Sequence, residues 1–515
     1  MLAKVNSAAV NGFDAYLVEI EVNVTGYGKE TYVNIVGLPD SCVKESKDRV
    51  HSAIEASAFP YPYGKIIINL APADIKKEGA LYDLPIAIAM LAGNSIVKQE
   101  KLNGYLMIGE LALDGSIRPI KGALPIAILA NSLKDIAGII VPKENADEAS
   151  IATTKIKVYA ASHLREVADF LNNKRELLEV KTKYDDLLNS IVTESYNDDY
   201  KDVKGQQFAK RALEIASAGG HNILMLGPPG SGKSMLAKRL PSILPPMSVE
   251  EAIEVTKAYS IVGLLKENEP IIAKRPFRSP HHTISDAGLL GGQSIPTPGE
   301  ISLAHHGVLF LDEFPEFKKN VIEVLRQPME NGNVTISRAS GSFTFPANFM
   351  LVAAMNPCPC GYFGSATREC RCSTHNIQKY RNRISGPLLD RIDIHIEVGA
   401  LNENELLNAP SGDSSAVMRE RVLKARQIQS DRFKHTSCYS NSDMDSKSIQ
   451  SYCKLNSETY ALLKSSIQEL QLSARAFDRI LRVSRTIADL SGSENIEIDH
   501  VCEAIQYRSL DRRLW

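Results

Sequence analysis

Gly227-Pro-Pro-Gly-Ser-Gly-Lys-Ser234 is the stretch on which the fold turns. An apolar run, Asn222-Ile-Leu-Met-Leu226, leads into it and predicts a buried strand. Met235-Leu-Ala-Lys-Arg-Leu240 follows with apolar residues at helical spacing. A strand, a glycine loop ending in Lys-Ser and a helix together specify a phosphate-binding loop, whereas a glycine turn alone would not. The glycines let backbone N–H groups curl around phosphates, and the helix N-terminus adds partial positive charge. Gly227, Pro228, Pro229, Gly230, Ser231, Gly232, Lys233, Ser234 and Met235 are therefore expected to bind ATP. Lys233 would reach the β- and γ-phosphates, and Ser234 would ligate Mg²⁺.

The partner segment is His306-Gly-Val-Leu-Phe-Leu-Asp-Glu313. Four apolar residues predict a buried parallel strand with Asp312 and Glu313 at its C-terminal end. In an open α/β sheet, ligands bind at that end. Asp312 is expected to hold the Mg²⁺ shell and Glu313 to orient and deprotonate the attacking water. Phe349-Met-Leu-Val-Ala-Ala-Met-Asn356 predicts another buried strand, ending in a polar side chain.

The chain has 515 residues and a net charge of -2, so several domains are expected and no global basic field surrounds them. Nucleic acid would have to meet local patches or the inside of a ring. No apolar run approaches the ~18 residues that span a bilayer, and Met1-Leu-Ala-Lys-Val-Asn6 lacks the pattern of a signal peptide. A cytoplasmic protein with no membrane partner is the expectation.

Residues 1–168 read as mixed α/β. Leu17-Val-Glu-Ile-Glu-Val-Asn-Val24 alternates as a half-buried strand, and Tyr32-Val-Asn-Ile-Val36 and Lys65-Ile-Ile-Ile-Asn-Leu70 follow as two more. Residues 41–57 have helical period, and Asp83-Leu-Pro-Ile-Ala-Ile-Ala-Met-Leu91 predicts a buried helix with Pro85 in its first turn. At residues 71–85 and 109–124 the region resembles the proteolytic domain of Lon, a ribosomal protein S5 domain 2-like fold. That family needs a Ser nucleophile and a Lys base. Gly79-Ala-Leu-Tyr-Asp83 and Gly122-Ala-Leu-Pro-Ile-Ala127 stand where those motifs fall and carry neither. The domain is expected to be non-proteolytic. Residues 169–200 are polar and read as a linker.

Further segments narrow the family. They are Phe277-Arg-Ser-Pro-His-His-Thr-Ile-Ser285, Pro298-Gly-Glu-Ile-Ser-Leu-Ala304, the expected hairpin at residues 333–346 with Gly341 near its tip, Asn356-Pro-Cys-Pro-Cys-Gly361, and Ser385-Gly-Pro-Leu-Leu-Asp-Arg-Ile-Asp393. Together they resemble the magnesium-chelatase-like AAA+ ATPases of the YifB/ComM family over essentially the whole chain. Two positions depart: His306 stands where the family often has Asn, and Phe314 where it often has Leu. The resemblance implies an AAA+ core at 201–400 and an all-helical C-terminal lid at 401–515. It implies a homo-hexamer that moves on DNA, in branch migration during recombination and natural transformation. It also implies that Asn356 is sensor 1, Arg391 an arginine finger for the neighbouring subunit, and Arg475 sensor 2. An internal ion pair of Arg391 with Asp390 or Asp393 is the competing reading, and Arg479, Arg482 and Arg485 compete with Arg475. Residues 276–296 and 333–346 would project into the pore, with Arg338 the best candidate for a phosphate contact. His281 and His282 receive no chemistry.

Cys358, Cys360, Cys370 and Cys372 could close a tetrahedral Zn²⁺ site, although C-x-C is tighter than the usual spacing. His375 could replace one ligand, and reduced thiols are the bland alternative. Residues 417–433 have helical period and a basic face of Arg419, Arg421, Lys424, Arg426 and Arg432, expected to be solvated. Ser473 is expected to cap the next-to-last helix. The competing readings are the ATPase subunit of a metal chelatase, which the Lon-like domain disfavours, an ATP-dependent protease, which the missing Ser and Lys argue against, and a binding protein that uses ATP as a switch.

Overall fold

The computed structural model describes all residues except 26–30, 184–185, 188, 190–195, 197, 267–268, 293–295, 339–340, 365–367, 401–411, 437, 471–472, 509 and 511–515. Parts of the expected linker, the first pore insert, the hairpin tip and the connection at 402–415 lie outside the described residues.

The N-terminal unit is an eight-stranded mixed sheet. Its strands are β1 (Leu2–Asn11), β2 (Asp14–Thr25), β3 (Tyr32–Val36), β4 (Lys65–Ala71), β5 (Tyr105–Met107), β8 (Gly138–Pro142), β9 (Lys157–Ala161) and β10 (Leu178–Val180), and a short ribbon of β6 (Glu110–Leu111) and β7 (Ile117–Arg118) lies beside it. The order is β10-β9-β8-β5-β1-β2-β4-β3. Helix Asp83–Gly93 is apolar all round, and every one of its residues is buried, as such a helix requires. β1 was not expected. Half of its apolar side chains are alanines, which carry little strand signal, yet it pairs with β2 from Leu2↔Asn23 to Asn11↔Asp14.

The central unit is a five-stranded sheet in the order β12-β13-β16-β11-β17. Its strands are β11 (Ile223–Leu226), β12 (Phe277–Arg278), β13 (Val308–Leu311), β16 (Met350–Met355) and β17 (Ile394–Glu397), and all neighbours are parallel. β11, β13 and β16 are buried throughout, so their unbroken apolar runs follow from burial on both faces. Parallel pairing places the three polar segments that follow them along one edge. The hairpin is β14 (Asn333–Arg338) with β15 (Gly341–Pro346), paired from Asn333↔Pro346 to Arg338↔Gly341.

Helices Ser415–Phe433, Ser446–Tyr452, Ser457–Leu470, Ala474–Leu490 and Ile498–Gln506 make up the C-terminal region. Ser473 caps Ala474–Leu490 by accepting from Ala476 N at 3.2 Å. On the basic face of Ser415–Phe433, Lys424 is solvated as expected and pairs with Glu420 of its own helix, but three arginines correct that reading. Arg421 reaches the buried Glu214, Arg426 donates to Ser217 O at 3.3 Å, and Arg432 pairs at 2.5 Å with Asp489, which is fully buried. These cations fasten the helical region to the core.

The N-terminal unit docks on the core through helix Ala123–Ser132, which packs against helix Val249–Val262. Leu124 and Ile151 join Met247, Val249, Ala252 and Val255 in one apolar cluster. Gly122 N donates to Ser260 O at 2.9 Å, and Lys257 pairs with Asp14 at 2.6 Å. Among the described residues no helix is long and apolar enough to cross a membrane.

Candidate nucleotide site

The phosphate loop leaves β11 and enters helix Lys233–Arg239. Gly230 and Gly232 have φ of +78° and +89°, a backbone that L side chains rarely adopt. Gly227 is needed for a different reason: a Cβ there would stand 2.2 Å from Val398 O. Lys233 is buried. Its Nζ donates to Gly227 O at 2.7 Å and Pro228 O at 2.9 Å, and lies 3.4 Å from Asn356 Oδ1. Burial pushes the Lys233 ammonium below its ordinary range, and the Asp312 charge opposes the shift. Ser234 Oγ donates to Asp312 Oδ2 at 2.5 Å. A hydroxyl and a carboxylate converging at a helix N-terminus are the hard oxygen donors that Mg²⁺ takes beside a triphosphate, so the residues fit ATP with Mg²⁺. Gln206, for which the sequence carries no signal, donates to Ser231 O at 3.3 Å and Gly399 O at 2.8 Å, fastening the loop from behind.

Glu313 follows Asp312 with φ +52°, uncommon for a non-glycine residue and a feature that collects at functional sites. His282 Nδ1 stands 3.2 Å from Glu313 Oε2. The ring stacks on His281 at 4.1 Å and meets the Phe317 ring edge-on at 6.4 Å. Sequence reasoning gave His282 no role, because nothing local in a His-His pair points to a carboxylate in the turn after another strand.

Arg391 lies at the opposite end of the sheet. Its carbonyl accepts from Asn222 Nδ2 at 3.3 Å, just before β11 begins, whereas the phosphate loop follows the end of β11. Its guanidinium pairs with Glu330, not with Asp390 or Asp393 as the competing reading had it. Asp393 instead accepts from Asn222 N at 3.1 Å and lies 3.8 Å from Arg479 Nε. Burial opposes its ionisation, but His221, whose Nδ1 lies 3.7 Å away, and the Arg479 charge hold its carboxyl well below the usual range. Arg475 is exposed at the start of Ala474–Leu490, and among the described residues no hydrogen bond or ion pair joins it to the phosphate loop. Arg485 is committed to Asp489 and to the carbonyls of Ser493 and Glu494. The two expected pore elements touch: Gly292 lies against the Arg338 guanidinium, and Gly291 against Ile336.

The four cysteines converge. Cys358 Sγ lies 3.3 Å from Cys360 Sγ and 3.6 Å from Cys370 Sγ, and all four sulfurs fall within 4.8 Å of one another. A tetrahedron with Zn–S arms of about 2.3 Å has edges of about 3.8 Å, which this spacing matches. Phe363 N donates to Cys358 Sγ at 3.3 Å and Cys372 N to Cys370 Sγ at 3.4 Å. The backbone amides of Tyr362 and Arg371 pull Cys360 down to about 6. His375 is not in the cluster. A second group, Glu254, His305 and His306, is a hydrogen-bonded knot. His305 Nδ1 accepts from Asn348 N at 3.1 Å, so its Nε2 carries the proton that faces Glu254 at 3.2 Å. His306 sits between Glu251 at 3.4 Å and Glu254 at 2.9 Å.

Residues 199–406 match the family model for magnesium chelatase, subunit ChlI. Residues 20–145 match that for subunit ChlI of Mg-chelatase, and residues 412–508 its ChlI C-terminal model. Competence protein ComM of Haemophilus influenzae is 46% identical, with 100% of this chain and 98% of that protein aligned. The chain belongs to the YifB/ComM family of magnesium-chelatase-like ATPases. YifB of Escherichia coli is 43% identical with the same coverage. The magnesium-chelatase 67 kDa subunit of Chlorobaculum parvum is 30% identical over only 31% of this chain. Membership in the YifB/ComM family brings with it ATP hydrolysis and a helical C-terminal region behind the AAA core.

Proposed function

We propose that this chain is an ATP-hydrolysing AAA+ motor that assembles as a homo-hexamer and drives branch migration of DNA in recombination and natural transformation. The observation that carries the proposal is the division of the catalytic set between opposite ends of one parallel sheet. Lys233, Ser234, Asp312, Glu313 and Asn356 share the C-terminal end, and Arg391 the other. A side chain so placed serves a neighbour's nucleotide rather than its own. In that ring Lys233 grips the β- and γ-phosphates. Ser234 and Asp312 hold Mg²⁺, which neutralises phosphate charge when bound. Asn356 faces the γ-phosphate, Glu313 takes the proton of the attacking water, and the neighbour's Arg391 neutralises the transition state. Arg475 closes the lid as sensor 2. The name of the Haemophilus relative supports a role in DNA handling.

Arg338 and the adjoining insert supply the DNA contact. The N-terminal unit is a Lon-like fold without its nucleophile: Asp83, at the site of the missing motif, is buried and bound by Arg49. The four cysteines hold a structural Zn²⁺ with no position left for water. Strand exchange of a labelled four-way junction with ATP tests the motor, with Lys233→Ala as the inactive control. Failure of the wild type to move the junction, while hydrolysing ATP without DNA stimulation, overturns it. The chelatase models favour a second reading, a porphyrin-metallating motor subunit. Metallation of a porphyrin with added chelatase partners discriminates it.

A further inference from the structure

The cysteine cluster and the nucleotide site are parts of one piece of chain. Asn356, which approaches Lys233 Nζ to 3.4 Å, is followed by Pro357 and then by Cys358, which is completely buried. Three residues on, Gly361 turns with φ +85° and lies so close to the phosphate loop that a Cβ would stand 2.5 Å from Pro229 Cδ and 2.7 Å from its Cγ. Gly361 N donates to Cys358 O at 2.9 Å, closing the turn on the first cysteine. Arg381 holds the far side: its Nε donates to Pro357 O at 3.2 Å, and its guanidinium covers the Phe363 ring at 5.3 Å. Phe363 N in turn donates to Cys358 Sγ. Pro229 is thus backed by a turn whose shape depends on four sulfurs staying within 4.8 Å of one another. Thiolates at that spacing repel unless a cation lies between them, and protonated thiols make only weak mutual bonds.

We propose that Zn²⁺ in the Cys358–Cys360–Cys370–Cys372 cluster braces the phosphate loop, so that metal occupancy sets the affinity for ATP through Gly361 against Pro229 and through Asn356. The proposal rests on the reading of the cluster as a zinc site and of residues 227–235 as the ATP site. The turn presses on Pro229 only while the sulfurs are gathered. When the metal leaves, the turn relaxes, the loop loses its backing, and Asn356 loses its register with Lys233.

The test uses the full chain. Its zinc content is measured by plasma mass spectrometry, and its affinity for a fluorescent ATP analogue by titration. Both are repeated after a mercurial and a chelator have removed the metal, and again after Zn²⁺ is restored. The expected result is one zinc per chain, an affinity at least tenfold weaker after stripping, and recovery on restoration. Gly361→Ala provides a second arm that leaves all four cysteines in place. It is expected to keep its zinc and bind the analogue at least tenfold more weakly. Stripping that leaves affinity unchanged, in a chain that held zinc, overturns the brace and spares the zinc site. A wild-type chain with no thiol-bound metal overturns the zinc site itself. A zinc-loaded chain that does not bind the analogue overturns the nucleotide reading.

Discussion

Replacing Glu148 by Gln should stabilise the protein, and by more as the pH rises. Glu148 is buried at the contact between the N-terminal unit and helix Val249–Val262. Asn145 Nδ2 donates to its Oε1 at 2.8 Å, but among the described residues its Oε2 has no hydrogen-bond partner. Burial pushes its carboxyl up from 4.5 to about 7, against the lowering effect of Asn145. A carboxyl raised in the folded state keeps full stability below its unfolded pKa, near 4.5, and loses it as the pH rises through about 7. That gap corresponds to about 3 kcal/mol at pH 8 and about 1 kcal/mol at pH 5. Gln keeps the shape and the acceptor for Asn145 and has no charge to bury. Its gain over wild type should therefore grow by about 2 kcal/mol between pH 5 and pH 8, a melting difference of about 4–8 °C for a unit of this size. Scanning fluorimetry of both proteins at the two pH values measures it. An equal shift at pH 5 and pH 8, or none at pH 8, refutes the argument that an ionised Glu148 is what strains this contact.

Glu313→Gln should bind ATP as wild type does and lose at least ~100-fold in turnover, because a general base contributes about 10²–10⁴; equilibrium binding and steady-state hydrolysis separate the two, and undiminished turnover removes Glu313 as the base. His282→Ala frees the Glu313 carboxylate, so hydrolysis without DNA should rise and stimulation by duplex DNA should fall below twofold; stimulation like that of wild type would show the contact to be idle. Arg391→Ala and Lys233→Ala should each be inactive alone, yet a mixture of the two should regain part of the activity, since one supplies an intact phosphate loop and the other an intact arginine. No recovery on mixing, with both variants assembling normally, places Arg391 outside the neighbour's site.

What the sequence made legible follows from locality. β11, β13 and β16 are parallel strands covered on both faces, so an unbroken apolar run was enough to place them and the polar segments at their ends. β1 escaped because its buried positions are largely alanine and serine, which pack under a helix without announcing a strand. β12 is two residues long and exists only because β13 offers an edge. The basic face of Ser415–Phe433 was visible as periodicity, but its partners Glu214 and Asp489 lie on other helices, and periodicity says nothing of them. The same blindness hid the Arg391–Glu330 pair, whose members are 61 residues apart, and the approach of His282 to Glu313. The cysteine cluster was legible because its four members lie within residues 358–372, whereas its contact with Pro229 was not.

These tertiary contacts share a direction. Helix Val249–Val262 receives the N-terminal unit on one face, through Leu124 and the Gly122–Ser260 hydrogen bond. Its Glu251 and Glu254 grip His305 and His306 immediately before β13. β13 is followed at once by Asp312, to which Ser234 of the phosphate loop donates a hydrogen bond. The N-terminal unit is thus connected to Ser234 and Asp312 through one helix and one four-residue strand. On the other side, the cysteine turn presses on Pro229, and His282 touches Glu313 from the insert expected to meet DNA. Three elements outside the phosphate loop converge on the candidate nucleotide site, and under the proposed function each would carry a different signal: the position of the N-terminal unit, the state of the cysteine cluster and contact with a polynucleotide. A loop that bound and cleaved ATP unaided would have no need of such connections, whereas the proposed motor, which must release its energy only when engaged, would.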